Sequence, residues 1–165
     1  MKKLLLMFMV SVMLAANNPG DTLREMIDYV SKQSSNTVIA NYIKKYVNTK
    51  SIAAEVAGRR VWLSASQNSK DVFIKKLSER LLNYYASNLS NLNRYRFEYT
   101  ARNSSQRQTI KIYNPNGSTA TLVVFYQQNN GQWMIIDSSY NGISIVSYWR
   151  AKLQPIIKSK GLAGI

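Results

Sequence analysis

Residues 107–138 read RQTIKIYNPNGSTATLVVFYQQNNGQWMIIDS, and the fold class follows from this stretch. Two turn signals, Asn-Pro-Asn-Gly at 114–117 and Asn-Asn-Gly at 129–131, divide it into three runs that contain β-branched and aromatic residues. Turns of this composition connect adjacent antiparallel strands. We therefore predict strands over 107–113, 119–127 and 132–138.

A fourth strand precedes this stretch, because Tyr95, Phe97 and Tyr99 alternate with charged residues. The rest of the chain has the three- and four-residue spacing of apolar side chains that is typical of amphipathic helices. Helices are predicted over 21–33, 35–48, 51–57 and 69–92, and again from about 142 to 160, with a kink at Pro155. The predicted fold class is α+β, with helices packed on a curved four-stranded antiparallel meander.

The third predicted strand is apolar on both faces, with Leu122 and Val124 on one face and Val123 and Phe125 on the other. A meander of this kind needs only one face for packing. Either further helices cover the second face, or it lines an internal cavity for an apolar ligand. The candidate ligand-binding residues of such a cavity are Leu81, Tyr84, Tyr85, Leu89, Val123, Phe125, Met134, Ile136, Ile143 and Val146.

The N-terminus has the pattern of an export signal. Two lysines are followed by an uncharged, largely apolar run over 4–14 and then by two alanines. Eleven residues at 1.5 Å each do not cross a hydrocarbon core of about 30 Å. We predict a signal peptide over 1–16 and a single domain over 17–165. A buried N-terminal helix or an uncleaved anchor is the alternative.

The chain offers few groups for catalysis, since it contains no histidine and no cysteine. This excludes Ser-His and Cys-His nucleophile pairs and any zinc site built from those ligands. A phosphate-binding P-loop is absent as well. We expect no enzymatic activity, no metal and no cofactor. The alternative is a small α+β enzyme with an apolar pocket that uses Asp137 together with Tyr140 or Tyr85.

The chain is strongly basic, with 22 Lys and Arg against 8 Asp and Glu. Such a balance favours nucleic acid, an anionic membrane surface or an acidic protein as partner. Export argues against nucleic acid. Arg150 and Lys152, on the last predicted helix, are the candidate partner-docking residues. A basic membrane-surface module without a cavity is an alternative. The positive charge could also reflect a proteome whose proteins are generally basic.

Several segments, in order along the chain, resemble one known family. The similar segments are GRRVW at 58–62, LLNYYA at 81–86, NPNG at 114–117, GQWMIID at 131–137, NGISIV at 141–146 and YWR at 148–150. They are similar to the conserved run of the MlaC family, also called the toluene-tolerance auxiliary family. Two features differ from the family pattern. Asn141 stands where that family usually has Glu, and the sequence stops at Ile165, short of the family's usual final helix.

The resemblance implies a periplasmic phospholipid carrier with a cone-shaped, NTF2-like fold. Acyl chains would lie inside the cavity as cargo, with Tyr85 and Ile143 in its wall, while the headgroup stays in solvent. The implied partners are phospholipid, the substrate-binding subunit of an inner-membrane ABC transporter and an outer-membrane lipoprotein–porin complex. Such a carrier would maintain lipid asymmetry and is expected to be a monomer.

Overall fold

The computed structural model describes residues 19–90, 92–100 and 106–165, so the predicted signal peptide over 1–16 lies outside the described residues. The α-helices are α1 (Pro19–Ser31), α2 (Asn36–Ile43), α3 (Thr49–Ala57), α4 (Arg59–Ser64), α5 (Gln67–Leu89) and α6 (Ile145–Lys160). The strands are β1 (Arg96–Tyr99), β2 (Arg107–Tyr113), β3 (Thr119–Asn129), β4 (Gln132–Tyr140) and β5 (Ile143–Ser144). No helix in these ranges is both long and apolar enough to span a membrane.

The strands form one antiparallel sheet in the order β1-β2-β3-β4-β5, which confirms the α+β meander. The sheet has five strands where the sequence predicts four. The fifth is a two-residue strand that follows a tight turn at Asn141 and Gly142, whose φ angles are +47° and +85°. Asn-Gly is favoured in hairpin turns that need both residues in the left-handed region. The last helix therefore begins at Ile145, not near residue 142, and it continues through Pro155 to Lys160.

A β-bulge interrupts the pairing of β3 with β4. Phe125 pairs with Asp137, but Tyr126 pairs with Ile135, which leaves Ile136 as an extra residue on β4. One extra residue reverses which side chains face each side of the sheet beyond it. As a result Ile135, which precedes the bulge, faces the helices, and so do Ser138 and Tyr140, which follow it.

The second helix is shorter than the predicted 35–48, because the backbone after it bonds to the sheet. The Ile135 amide donates to the Tyr46 carbonyl at 2.6 Å, and the Asn48 amide donates to the Ile135 carbonyl at 2.8 Å. These groups would bond within the helix if it continued. Gly58, with φ of +81°, separates α3 from α4, a helix that the sequence does not predict.

The helices form a layer on one face of the sheet, in which α5 packs on α2 and α3. Phe73, Leu77 and Leu81 of α5 are fully buried. Helix α6 packs on α3, and the contact is fixed by hydrogen bonds: the Gln154 side-chain amide donates to the carbonyls of Val56 and Ala57 at 3.2 and 3.1 Å.

The opposite face of the sheet is covered by long basic side chains. The Arg96 guanidinium lies 3.6 Å from the centre of the Tyr113 ring, and the Lys111 ammonium lies 5.0 Å from it. The Arg107 guanidinium lies 5.9 Å from the centre of the Phe125 ring. Cations over aromatic faces, with their aliphatic stems along apolar surface, shield this second apolar face.

Candidate functional site: an apolar cavity between sheet and helices

A cavity of about 560 Å³ lies between the helices and the facing side of the sheet. Helix α1 supplies four apolar side chains to its wall. The sheet supplies residues from β1 to β5. The main apolar contributors are Leu23, Met26, Ile27, Val30, Phe97, Ile112, Leu122, Val124 and Ile135.

Among the described residues, no Asp, Glu, Lys or Arg lines the cavity. Burying a carboxylate or ammonium group without a charged partner costs many kcal/mol, so a charged ligand group is excluded from the interior. The wall suits a hydrocarbon chain, and any charged end of the ligand must stay at the opening.

The deep wall contains one polar pair. The Tyr85 hydroxyl of α5 lies 3.1 Å from the Ser138 hydroxyl of β4. Burial raises the pKa of Tyr85 to about 12, while the Ser138 hydrogen bond acts in the opposite direction. The phenol is therefore neutral at physiological pH, and the pair satisfies itself without adding charge to the cavity.

The opening of the cavity is marked by exposed apolar side chains. Ile143 is 68% exposed, Tyr140 50%, Tyr148 43% and Tyr84 41%, although all four also line the cavity. The far end is closed by Ile43 and Val47, which are buried. We call the first group the rim and the second the floor.

Four of the predicted lipid-binding residues line the cavity, namely Tyr84, Tyr85, Leu89 and Ile143. Leu81 is fully buried in the packing of α5 and is not part of the wall. Val146, in the first turn of α6, is also buried and does not line the cavity.

The other four predicted residues, on β3 and β4, do not line the cavity. Val123 and Phe125 of β3 do not line the cavity, while their neighbours Leu122 and Val124 do. Because both faces of β3 are apolar, its alternation does not show which face meets the helices.

The same correction applies to β4. Met134 and Ile136 do not line the cavity, whereas Ile135 does. Ile136 is the extra residue of the bulge, and a bulge cannot be placed from alternation alone.

The largest omission from the sequence prediction is the wall formed by α1. The spacing of Leu23, Ile27 and Val30 marks an apolar helix face, and the structure directs that face into the cavity. An apolar face on a helix has the same pattern whether it packs on a core or on a ligand, so no local signal distinguishes the two.

The two predicted docking residues have different surroundings. The Arg150 Nε donates to the Glu55 carbonyl at 2.9 Å, and its guanidinium forms an ion pair with the Glu55 carboxylate at 3.2 Å. Arg150 thus joins α6 to α3. The Lys152 ammonium lies 5.7 Å from the ring centre of the rim residue Tyr148. A docking role therefore depends on Lys152 more than on Arg150.

Asp137, the candidate catalytic acid, serves as a structural clamp. Its carboxylate accepts from the Ser144 hydroxyl at 2.7 Å and from the Ser138 and Val146 amides at 2.8 and 3.2 Å. The residue does not line the cavity. Tyr85 and Tyr140, its candidate partners in the enzyme alternative, both line the cavity.

A cavity whose described wall is uncharged and largely apolar, on an α+β scaffold, is suited to an apolar chain. The model of the MlaC protein family matches residues 21–165, and the chain belongs to this family. The resemblance inferred from the sequence is thereby confirmed.

Among solved structures, a phospholipid-binding protein from Ralstonia solanacearum in complex with a phospholipid has a similar fold. The TM-score is 0.73 and the sequence identity 14%, and the match covers 88% of each chain. No curated protein sequence matches this chain.

Proposed function

We propose that the protein is a periplasmic phospholipid carrier, which holds acyl chain in the cavity and leaves the headgroup in solvent. The observation that carries this proposal is the cavity of about 560 Å³ whose described wall has no charged side chain. Membership of the MlaC family and the phospholipid bound by the similar Ralstonia protein support it.

The apolar wall favours tight retention of the cargo. Each buried methylene contributes about 0.8 kcal/mol, so a chain of sixteen carbons gains on the order of 13 kcal/mol before the costs of association are subtracted. Release of such a ligand is slow, and a carrier of this kind needs partners that load and unload it.

The proposed partners are membrane complexes on the two sides of the periplasm. They are the substrate-binding subunit of an inner-membrane ABC transporter and an outer-membrane lipoprotein–porin complex. Transfer between them would maintain lipid asymmetry. Export by the predicted signal peptide over 1–16 is part of the proposal, and the mature protein should begin between Ala16 and Gly20.

Native mass spectrometry of the protein purified from the periplasm tests this function. A carrier retains lipid at a ratio of one per protein after gel filtration. A basic membrane-surface module would bind anionic vesicles but extract no lipid from them. An enzyme would change the mass of lipid added to it, so the absence of bound lipid or the appearance of products would contradict the proposal.

A further inference from the structure

Three Asn-Gly pairs, at 116–117, 130–131 and 141–142, lie in turns of the sheet, and all three asparagines are exposed. Such a pair is chemically labile. The glycine nitrogen attacks the side-chain carbonyl carbon of asparagine, a new C–N bond closes a cyclic imide, and ammonia leaves with the proton of the attacking amide. Water then opens the imide at either carbonyl, which leaves aspartate or isoaspartate. Glycine favours this reaction because no Cβ crowds the attacking nitrogen.

Two of the pairs occupy matching turns. The pair at 130–131 joins β3 to β4, and the pair at 141–142 joins β4 to β5. Both residues of each turn have positive φ, with angles of +49° and +79° in the first turn and +47° and +85° in the second. The dipeptide and the backbone are therefore the same, so a difference in reactivity must come from the surroundings of the asparagine side chain.

The asparagine side chain is held in one of these turns and not in the other. The Asn141 Oδ1 accepts from the Thr121 amide at 2.8 Å, and the Asn141 amide donates to the Thr121 carbonyl at 2.8 Å. The rotation that brings its side-chain carbonyl carbon to the Gly142 nitrogen breaks the first of these bonds. The Asn130 carboxamide has no hydrogen-bond partner among the described residues, so it is free to rotate toward the Gly131 nitrogen.

The third pair is held on both sides of the bond that would form. The Asn116 Oδ1 accepts from the Ser118 amide at 3.0 Å and from the Ser118 hydroxyl at 2.7 Å. The Gly117 nitrogen, which would make the attack, donates to the Asn114 carbonyl at 3.0 Å. Both reacting groups are thus engaged within the turn itself.

We propose that Asn130 is a site of spontaneous deamidation, and that the bond to Thr121 protects Asn141 from the same reaction. The reaction needs only water and does not depend on the cargo. Asn130 does not line the cavity, whereas Asn141 lies between the rim residues Tyr140 and Ile143. Deamidation at Asn141 would place a negative charge at the opening of the cavity, and the hydrogen bond keeps that position neutral.

Peptide mapping of the full-length exported protein tests the proposal. No Lys or Arg lies between Lys111 and Arg150, so one tryptic peptide, 112–150, contains all three pairs. Its fragmentation spectrum assigns each replacement of an amide by an acid. During incubation at physiological temperature, Asn130 should convert at least about fivefold faster than Asn141 or Asn116, the factor that corresponds to one hydrogen bond.

The same protein unfolded in urea is the control, because the three pairs then lose their different surroundings and should convert at similar rates. Conversion at Asn141 that equals or exceeds conversion at Asn130 in the folded protein would overturn the proposal. An Asn130 that stays intact in the folded protein, while it converts in urea, would overturn it as well.

A matched pair of variants tests the role of the hydrogen bonds. Ser118→Ala removes one of the two donors to Asn116 and should raise its rate of conversion by about fivefold, while the rate at Asn130 stays the same. Thr119→Ala changes the next exposed residue and should alter neither rate. An unchanged rate at Asn116 in Ser118→Ala would contradict protection by these bonds. The comparison within the unmodified protein tests the proposal even if a variant does not fold.

Discussion

Two buried tyrosine hydroxyls differ in their hydrogen bonding. The Tyr85 hydroxyl pairs with Ser138, while the Tyr126 hydroxyl is buried and has no hydrogen-bond partner among the described residues. A satisfied buried hydroxyl contributes about 1 kcal/mol to stability, and an unsatisfied one costs about 1–3 kcal/mol. The two positions therefore respond in opposite ways to the loss of a single oxygen atom.

The substitution Tyr85→Phe should lower the free energy of unfolding by about 1 kcal/mol, since it leaves Ser138 without its partner. Tyr126→Phe should leave it unchanged or raise it by about 1 kcal/mol. Urea denaturation of the two variants checks this. Equal destabilisation by both would mean that the Tyr126 hydroxyl has a partner, such as a bound water.

Ile143 lies at the rim, and its exposure determines how a charge at this position would affect folding and lipid retention. Because the side chain is 68% exposed, Ile143→Asp should keep its carboxylate in water and fold normally. It should weaken lipid retention by about tenfold or less, through a repelled anionic headgroup and lost apolar contact. Lipid content after gel filtration measures this. Loss of folding would contradict the exposed position.

The clamp at Asp137 ties strand β4 to the start of α6. Three groups donate to its carboxylate, including the Val146 amide in the first turn of α6, where negative charge is also favoured by the helix dipole. Asp137→Ala should cost about 2–3 kcal/mol in the free energy of unfolding.

Asp71→Ala is the matched control for this substitution. Asp71 is an exposed residue of α5 whose carboxylate accepts from the Gln67 side chain, and its loss should cost no more than about 0.5 kcal/mol. Thermal and urea unfolding of both variants measure the difference. Similar stability of the two would show that the clamp contributes little.

The elements that the sequence predicts well are those with strong local signals. The NPNG and NNG turns place β2, β3 and β4 to within about two residues of their ends. The elements that it misses depend on distant contacts. Residues 46–48 leave the helical pattern because they bond to Ile135, and β5 pairs with β4 through only two residues.

The cavity could be predicted to exist, but its wall could not be assigned in full. Excess apolar surface on β3 indicates a second buried face, yet the choice between Val123 and Val124 depends on which side the helices occupy. That information lies in the packing of the whole domain. The bulge at Ile136 then reverses which side chains of β4 face the helices. A single alternation pattern therefore cannot assign the residues before and after the bulge to the correct face.

The exposed lysines of α6 should act on the rate of encounter with partners. Lys152, Lys158 and Lys160 are exposed on α6 and have no ion-pair partner among the described residues. Reversing all three to Glu should slow lipid transfer to acceptor complexes at least tenfold at low salt, and the effect should fade as salt rises. Arg150 is left unchanged, because it joins α6 to α3.

The matched control reverses the same number of charges beside the floor, at Lys44, Lys45 and Lys50. These lysines are exposed and lie within three residues of Ile43 or Val47 along the chain. The change in net charge is identical, so a difference in transfer rate reports the position of the charge. Equal slowing by both variants, with bound lipid retained, would contradict a docking role for the α6 lysines.

The cavity has a consequence for the lifetime of the protein in the cell. A ligand that binds only the folded state stabilises it by mass action, so the occupied form unfolds less often than the empty one. Proteases act on transiently opened chains, and they should therefore degrade empty molecules first. Where lipid becomes scarce, the number of these molecules should fall without any change in their synthesis, so that their abundance follows the supply of what they carry.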